Sequence, residues 1–448
     1  MKSYQKAFTG ILLPLLFLVI SNITFAQKSN RSINDTEKKE IIEKVFEILK
    51  ERYIFPEKIP HLQKIISGKL AEGYYKKFLS AENFLDHLNT DLETLTNDRH
   101  VNLFFDPIVV KQIETSEKDT TTQPAFTPQF LKRAKFENFM VRNVERLEGN
   151  VGYFKFNMFI DLAISKPTFV SAMNVLTHSD ALIFDLRQNG GGHSITCDFL
   201  LSYFLPDSTK TGTFTARLNN TKNNIYTTYD PLIKKFTSDI PLFILTSKKT
   251  SSAAEAFAYI LQASKRATII GDTTKGEANP GYRIIVNPEM YIMVPTSINR
   301  NAITNTNWQG IGVIPDINIG QDKALIMAQA MAYKQLGKST NNNDLRFFYE
   351  WKAIGMESEL KPVKIPAEDL KSYAGNYADD RIINQEEGIL FYQRSGSTKK
   401  RLIPITPDTF SLEGSPFFRI RFIKSSGVIT ALEGMYDDGI IEASKRIN

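Results

Sequence analysis

Leu245-Thr246-Ser247-Lys248-Lys249-Thr250-Ser251-Ser252-Ala253-Ala254-Glu255-Ala256-Phe257 is the stretch that decides how this chain folds. It continues the apolar run Pro241-Leu242-Phe243-Ile244. That run lacks the alternation of a half-wet strand, so it predicts a strand buried on both faces. A short polar turn follows, and the small and apolar residues after it predict a helix over 252–265. A serine at such a junction, Ser252, lies beside the free N–H groups and the positive end of the helix dipole. Donors of that kind can hold the oxyanion formed when a carbonyl is attacked. Serine is also a favoured N-cap, and capping explains the same residue.

A second apolar run, Ala181-Leu182-Ile183-Phe184, feeds Asp185-Leu186-Arg187-Gln188-Asn189-Gly190-Gly191-Gly192-His193. Three glycines permit positive φ and close approach of the backbone to a ligand. The loop can present N–H groups to an oxyanion or a phosphate, but no Gly-Lys-Ser/Thr follows as a phosphate loop would require. A tight structural turn accounts for the glycines as well. With a strand at Val151–Phe156, a helix over 161–177 and a strand at Ala267–Ile270, the pattern from about 138 to 335 is an α/β core.

Residues 33–98 read as helical. Ser32 or Asn34-Asp35 can cap a helix with the apolar stripe Ile41, Ile42, Val45, Phe46, Ile48 and Leu49. Pro56 and Pro60 interrupt it. Two further stripes run Leu62, Ile65, Ile66, Leu70 and Phe84, Leu85, Leu88, Leu92, Leu95. The polar stretch 115–128 predicts a linker or exposed loop. From 370 to 448, short alternating segments such as Ile389–Tyr392, Phe417–Phe422 and Val428–Leu432, with turns at Glu387-Gly388 and Asp438-Gly439, predict a small β-barrel or meander. The expected organisation is a signal at 1–26, a helical domain at 27–114, a linker at 115–135, the α/β core at 136–335, a connecting segment at 336–365 and a β domain at 366–448.

Lys2, Lys6, the apolar run Ile11–Ile20 and Thr24-Phe25-Ala26 ahead of Gln27 have the layout of a cleaved secretory signal. The run is about half the ~20 apolar residues a membrane span needs. Export to the periplasm or the exterior is therefore expected, with no membrane span in the mature protein. The single cysteine, Cys197, excludes an internal disulfide framework and a thiolate metal cage. The 448 residues suffice for two or three cores, and 42% hydrophobic with 23% charged residues is an ordinary globular composition. The net charge of +6 is spread along the chain without a dense basic arm, which gives nucleic-acid binding little support. Oligomeric state is not readable from these features.

Taken together, the segments resemble the tail-specific protease superfamily, which includes C-terminal-processing peptidases, the tricorn core and interphotoreceptor retinoid-binding protein. The family marks stand here as Asp185 to Gly192, Thr246 to Glu255, Gly271 to Gly276 with Asn279-Pro280-Gly281 after it, and Gly310 to Asp316. The resemblance covers about 33–335. It implies a crotonase/ClpP-like α/β core between a helical cap and a C-terminal β domain. It also implies a serine peptidase with Ser252 as nucleophile, an acyl-enzyme intermediate and no cofactor. The Ala253 N–H and that of Gly190 or Gly191 are the implied oxyanion donors, with Asp185 and Arg187 holding the loop and Asp316 closing a turn after Pro315. The substrate would be a peptide or unfolded segment bound in extended form. Leu370–Tyr377 resembles the opening of lipocalin-like barrels appended to secreted hydrolases.

The family uses two catalytic designs. One places a lysine 25 residues after the serine, where this chain has Glu277; Lys275 is two positions off and no PDZ insert is visible. The other takes a histidine from the end of the helical domain in an Asp-x-His motif, matched by Asp98-Arg99-His100-Val101-Asn102-Leu103. His100 is thus the implied general base. Of the other histidines, His61, His87, His178 and His193, only His193 follows a site loop. None has metal-ligand spacing such as His-Glu-x-x-His, so no catalytic zinc is expected. The histidine branch commonly carries an acid just before Gly310, where this chain has Gln309. Three alternatives stand: a weakened third member at Gln309, substitution by Glu277, or a decayed site. The same fold also serves noncatalytic binding of peptides or apolar ligands, and the same nucleophile would serve an esterase.

Overall fold

The structure, a computed structural model, describes residues 31–118 and 126–447. The signal expected over 1–26 lies outside the described residues. The N-terminal region opens with α1 (Asp35–Arg52), started by a capping box in which Asn34 Oδ1 accepts from Glu37 N–H and Glu37 accepts from Asn34 N–H. Pro60 does not end a helix. It sits in the first turn of α2 (Ile59–Ala71), where its missing N–H has no intrahelical partner to lose. Then α3 (Ala81–Thr96) is capped by Ser80 and stopped by Asn97 in the left-handed region. The three stripes read from sequence meet in one cluster, with Leu70 and Leu95 at its edge and Ile65 outside it.

Strand β1 (Asn102–Phe105) follows, then α4 (Pro107–Lys118) and α5 (Pro128–Phe136). The stretch 115–128 is therefore not wholly loop, since 115–118 are the last turn of α4. Polar composition hid that turn.

The core runs β2 (Val141–Leu147), β3 (Val151–Phe156), α6 (Leu162–Leu176), β4 (Ala181–Asp185), α7 (Ser194–Leu201), β5 (Lys210–Ala216), β6 (Lys222–Tyr226), β7 (Leu242–Thr246), α8 (Ala253–Ala263) and β8 (Thr268–Gly271). It continues with β9 (Gly281–Asn287), β10 (Met290–Pro295), β11 (Ser297–Asn301), β12 (Ile317–Asn318), α9 (Gln321–Ser339) and α10 (Asn343–Leu360). The main sheet has the order β12-β8-β7-β4-β3-β2, parallel except for β2. Every residue of β4 and β7 is buried, as their unbroken apolar runs require. Helices α6, α7 and α8 cover one face, and α9 with α10 cover the other. The segment 336–365, read as a connection, thus holds the end of α9 and all of α10, which form a structural layer of the core.

Two small antiparallel sheets flank the main one. Their orders are β1-β10-β9 and β11-β5-β6. The first joins a strand of the N-terminal region to a hairpin from the core, and Val286, Met290, Ile292 and Val294 of that hairpin pack into the helical cluster. After α11 (Ala367–Lys371), an antiparallel meander forms β13 (Gly375–Tyr377), β14 (Arg381–Glu386), β15 (Ile389–Arg394), β16 (Lys400–Pro404), β17 (Thr409–Leu412), β18 (Ser415–Ser425), β19 (Val428–Tyr436) and β20 (Ile441–Lys445). Ala378 N–H donates to Lys445 O and Ile447 N–H to Asn376 O, both at 2.8 Å, which brings β20 back onto β13 as a barrel. The barrel meets α10 through Arg419, whose guanidinium lies 3.7 Å over the Trp351 ring and donates to Trp351 O.

Candidate active site

Strands β4, β7 and β8 are parallel neighbours, so the loops leaving their C-terminal ends emerge side by side. Those loops are the glycine segment 185–192, the Ser252 turn and the segment 272–279. Stitching between them is dense. Leu186 N–H donates to Leu245 O, Thr250 Oγ1 to Leu186 O, Ser251 N–H to Asn189 O and Lys275 N–H to Thr250 O. Asp185 takes a bidentate Arg187 and the Tyr153 hydroxyl, and Arg187 also reaches Gln321 O at the start of α9. Burial pushes the Asp185 carboxyl up, but the bonds from Arg187 and Tyr153 and the Arg187 charge together hold it below the ordinary range.

Ser252 is the N-cap of α8 and has φ +53° and ψ −119°, a conformation that L residues rarely adopt. Such strain persists only where the surroundings enforce it. Here the enforcement is Glu255. Its fully buried carboxylate accepts from Ser252 N–H at 2.8 Å, Thr274 Oγ1 at 2.5 Å, Gly276 N–H at 2.6 Å and Glu277 N–H at 2.9 Å. Burial raises the Glu255 carboxyl against the opposing pull of those four bonds. One side chain therefore clasps the Ser252 turn to the 274–277 loop.

The glycine segment lies directly against that turn. A Cβ on Gly191 would stand 2.7 Å from Ser252 Cβ, 2.7 Å from Ser251 O and 3.0 Å from Ala253 N, and Gly191 has φ +95°. The two glycine donors expected for an oxyanion are, however, already used. Gly190 N–H donates to Asn157 O at 3.2 Å and Gly191 N–H to Asn189 Oδ1 at 2.9 Å. The expected donor set of Ala253 with Gly190 or Gly191 is thus not free on the glycine side, because the loop satisfies its own buried N–H groups. Replacing Gly191 by alanine is expected to displace Ser252. A misplacement of ~1 Å costs about 10²-fold in rate, so Gly191→Ala should lower kcat/KM at least that much with KM little changed, read by peptide turnover.

His100 lies just before β1, which pairs with β10, and two residues after Asp98, which Gln309 reaches. Its Nδ1 is buried, has no hydrogen-bond partner, and stands 3.6 Å from Asp98 Oδ1. Asp98 is 1% exposed and accepts from Tyr53 OH at 3.3 Å, His100 N–H at 3.1 Å and Gln309 Nε2 at 3.0 Å. Gln309 Oε1 in turn accepts from Ala278 N–H at 2.9 Å and Asn279 N–H at 3.0 Å. A continuous path results: Ser252, Glu255, the Glu277–Ala278 backbone, Gln309, Asp98, His100. The Glu277 carboxylate itself pairs with Lys275 at 2.6 Å.

The family models of known proteins decide what this arrangement belongs to. "Peptidase family S41" matches residues 150–319, and "N-terminal domain of Peptidase_S41 in eukaryotic IRBP" matches 32–144, together more than half of the chain. The chain belongs to peptidase family S41. A curated relative of this S41 chain is the carboxy-terminal-processing protease of Bartonella bacilliformis, 27% identical over 180 residues. The match covers 39% of this chain and 40% of the relative, so the chain spans about two fifths of that protein's length. Among solved structures, one from Parabacteroides merdae has a TM-score of 0.46 at 18% identity, covering 63% of this chain and 90% of that one. A lipoprotein from Streptococcus agalactiae has 0.45 at 15%, covering 66% and 96%. The photosystem II D1 C-terminal processing protease has 0.39 at 16%, covering 64% and 94%.

In this S41 chain the site holds two residues that sequence reading assigned no part, Glu255 and Asp98. Both were quoted within motifs, and their roles depend on partners far along the chain. Asp316 does more than close a turn: it accepts from Ile269 N–H at the start of β8 and from Gln262 of α8. His193 Nδ1 lies 3.3 Å from Asp161 Oδ2, and burial holds its imidazole below the ordinary range despite that carboxylate. Among the described residues, no helix is long and apolar enough to cross a membrane.

Proposed function

We propose that this S41 chain is an exported serine peptidase that hydrolyses peptide bonds through an acyl-enzyme on Ser252, with His100 as general base. The observation that carries the reading is the continuous hydrogen-bonded path from the strained Ser252 turn through Glu255 and Gln309 to the Asp98–His100 turn. Nδ1 of His100 faces Asp98, which leaves Nε2 to take the proton as Ser252 Oγ attacks the carbonyl carbon. The same proton then goes to the leaving amine, and a water repeats the sequence to release the acid. The oxyanion is met by Ala253 N–H and by Gly191 N–H once Asn189 lets go of it. The substrate class is a peptide or unfolded protein segment. Export rests on the signal pattern at the N-terminus.

A serine-directed phosphonate tests this. Covalent labelling of the mature protein, mapped by mass spectrometry to Ser252 and abolished in Ser252→Ala, is the expected result. Failure to label, with casein-like substrates also left intact, would sink the peptidase reading. The occupied glycine N–H groups favour the second reading, a noncatalytic binding protein, which predicts that failure. Faster turnover of acyl esters than of peptides would point to an esterase.

A further inference from the structure

We propose that Asp98 is the carboxylate that orients His100 during catalysis, and that position 309 is a glutamine because it must donate to that carboxylate. This rests on the reading of Ser252 and His100 above.

Asp98 is a buried carboxylate whose three hydrogen-bond donors, Tyr53 OH, the His100 N–H and Gln309 Nε2, are all neutral. A charge removed from water without a cation beside it is costly. The nearest group able to become one is the His100 ring, whose buried Nδ1 is itself without a partner 3.6 Å away. That gap exceeds a hydrogen bond by about half an ångström, and such contacts often tighten only when substrate is bound. An imidazole nitrogen without a partner and a carboxylate without a cation, facing each other across so short a gap, complete one another when the imidazole takes the serine proton.

Gln309 stands where the branch commonly carries an acid, and its bonds in this chain turn it toward Asp98. Its Oε1 is held by the N–H groups of Ala278 and Asn279, so its NH2 must face Asp98. A glutamate there would set a second carboxylate about 3 Å from the first, and two carboxylates that close share one proton. The glutamine is then no trace of decay. It anchors Asp98 to the loop that Glu255 clasps to Ser252. Glu277 offers no rival acid, because Lys275 holds its carboxylate. Tyr53 fixes the other Asp98 oxygen, and burial together with the Asp98 charge raises its phenol, keeping it a donor.

Asp98 acts through His100 and is a positioning residue, so its test needs more than lost turnover. In the full chain, Asp98→Asn is expected to cut kcat/KM by about 10³–10⁴-fold, nearly all of it in kcat. Gln309→Glu is expected to lower kcat/KM too. A Gln309→Glu protein as fast as wild type or faster overturns the proposal, and so does an Asp98→Asn protein that keeps most of its activity. Should Asp98→Asn fail to fold, the near-isosteric Gln309→Glu still decides. A second readout needs no activity. In the Ser252→Ala protein, proton NMR with the imidazole cationic should show a strongly deshielded exchangeable proton on His100 Nδ1, assigned by its loss in His100→Gln. It should vanish on adding Asp98→Asn while the far-ultraviolet spectrum is kept. Its absence from the Ser252→Ala protein overturns the proposal even if the wild type proves to be no peptidase.

Discussion

Ser252→Ala is expected to lower cleavage of an unfolded protein by about 10⁴-fold or more, leaving only the residual rate that oxyanion and binding contributions supply. The variant should fold. Glu255 grips the Ser252 N–H, not its hydroxyl, so the clasp survives, and alanine meets the positive φ on terms similar to serine's. The thermal midpoint should therefore stay close to that of wild type while turnover disappears, which makes the loss chemical. His100→Ala should fall nearly as far, and the double variant no further, because residues acting as one unit are not additive. Retention of substantial casein cleavage by Ser252→Ala would remove the nucleophile from the scheme.

The second large effect is at Glu255. Glu255→Ala deletes the acceptor shared by Ser252 N–H, Thr274 Oγ1, Gly276 N–H and Glu277 N–H. A buried donor left without a partner costs about 1–3 kcal/mol, and water entering the vacated space will recover part of that. A loss of about 3–5 kcal/mol is expected, in the range of the more damaging single substitutions. Phosphonate labelling of Ser252 should slow in the molecules that remain folded, since nothing then enforces the turn. Glu255→Gln, which keeps one acceptor oxygen, should fall between. Urea unfolding with labelling rates at low denaturant measures both effects. An alanine variant as stable as wild type would show that Thr274, Gly276 and Glu277 find other partners.

Elements whose cause is local were legible in the chain. Strands β4 and β7 announce themselves because burial on both faces demands unbroken apolar runs, and the helical stripes of α1, α2 and α3 carry their own periodicity. The barrel was visible in alternation and turns, although its closure between β13 and β20 was not. Helices α9 and α10 were missed as a layer because the inward stripe of α9 is alanine, at Ala324, Ala328 and Ala332, a weak apolar signal that suits close packing on a sheet. Strands β5 and β6 are largely polar and partly exposed, so they left little pattern to read. At the candidate site, Ser252, Ala253, Gly191 and His100 are the residues that motifs single out. Asp98 is not among them, since its partners Tyr53 and Gln309 lie in separate parts of the chain. The occupied N–H groups of Gly190 and Gly191 are equally invisible to a linear reading, because Asn157 and Asn189 become acceptors only when the loop has folded.

The strand that follows His100 is completed by β10, which is made only after Ser252 and the 272–279 loop have been synthesised. On the reading of His100 as base, the serine therefore emerges from the ribosome well before the segment that docks its base. A serine without its base is chemically dull. Pairing of strands so distant along a chain is among the slower events of folding. Hydrolytic power would then arrive last, when the molecule no longer offers unfolded segments of its own. The small sheet that welds the cap to the core would act as a safety catch during biosynthesis, released by folding itself.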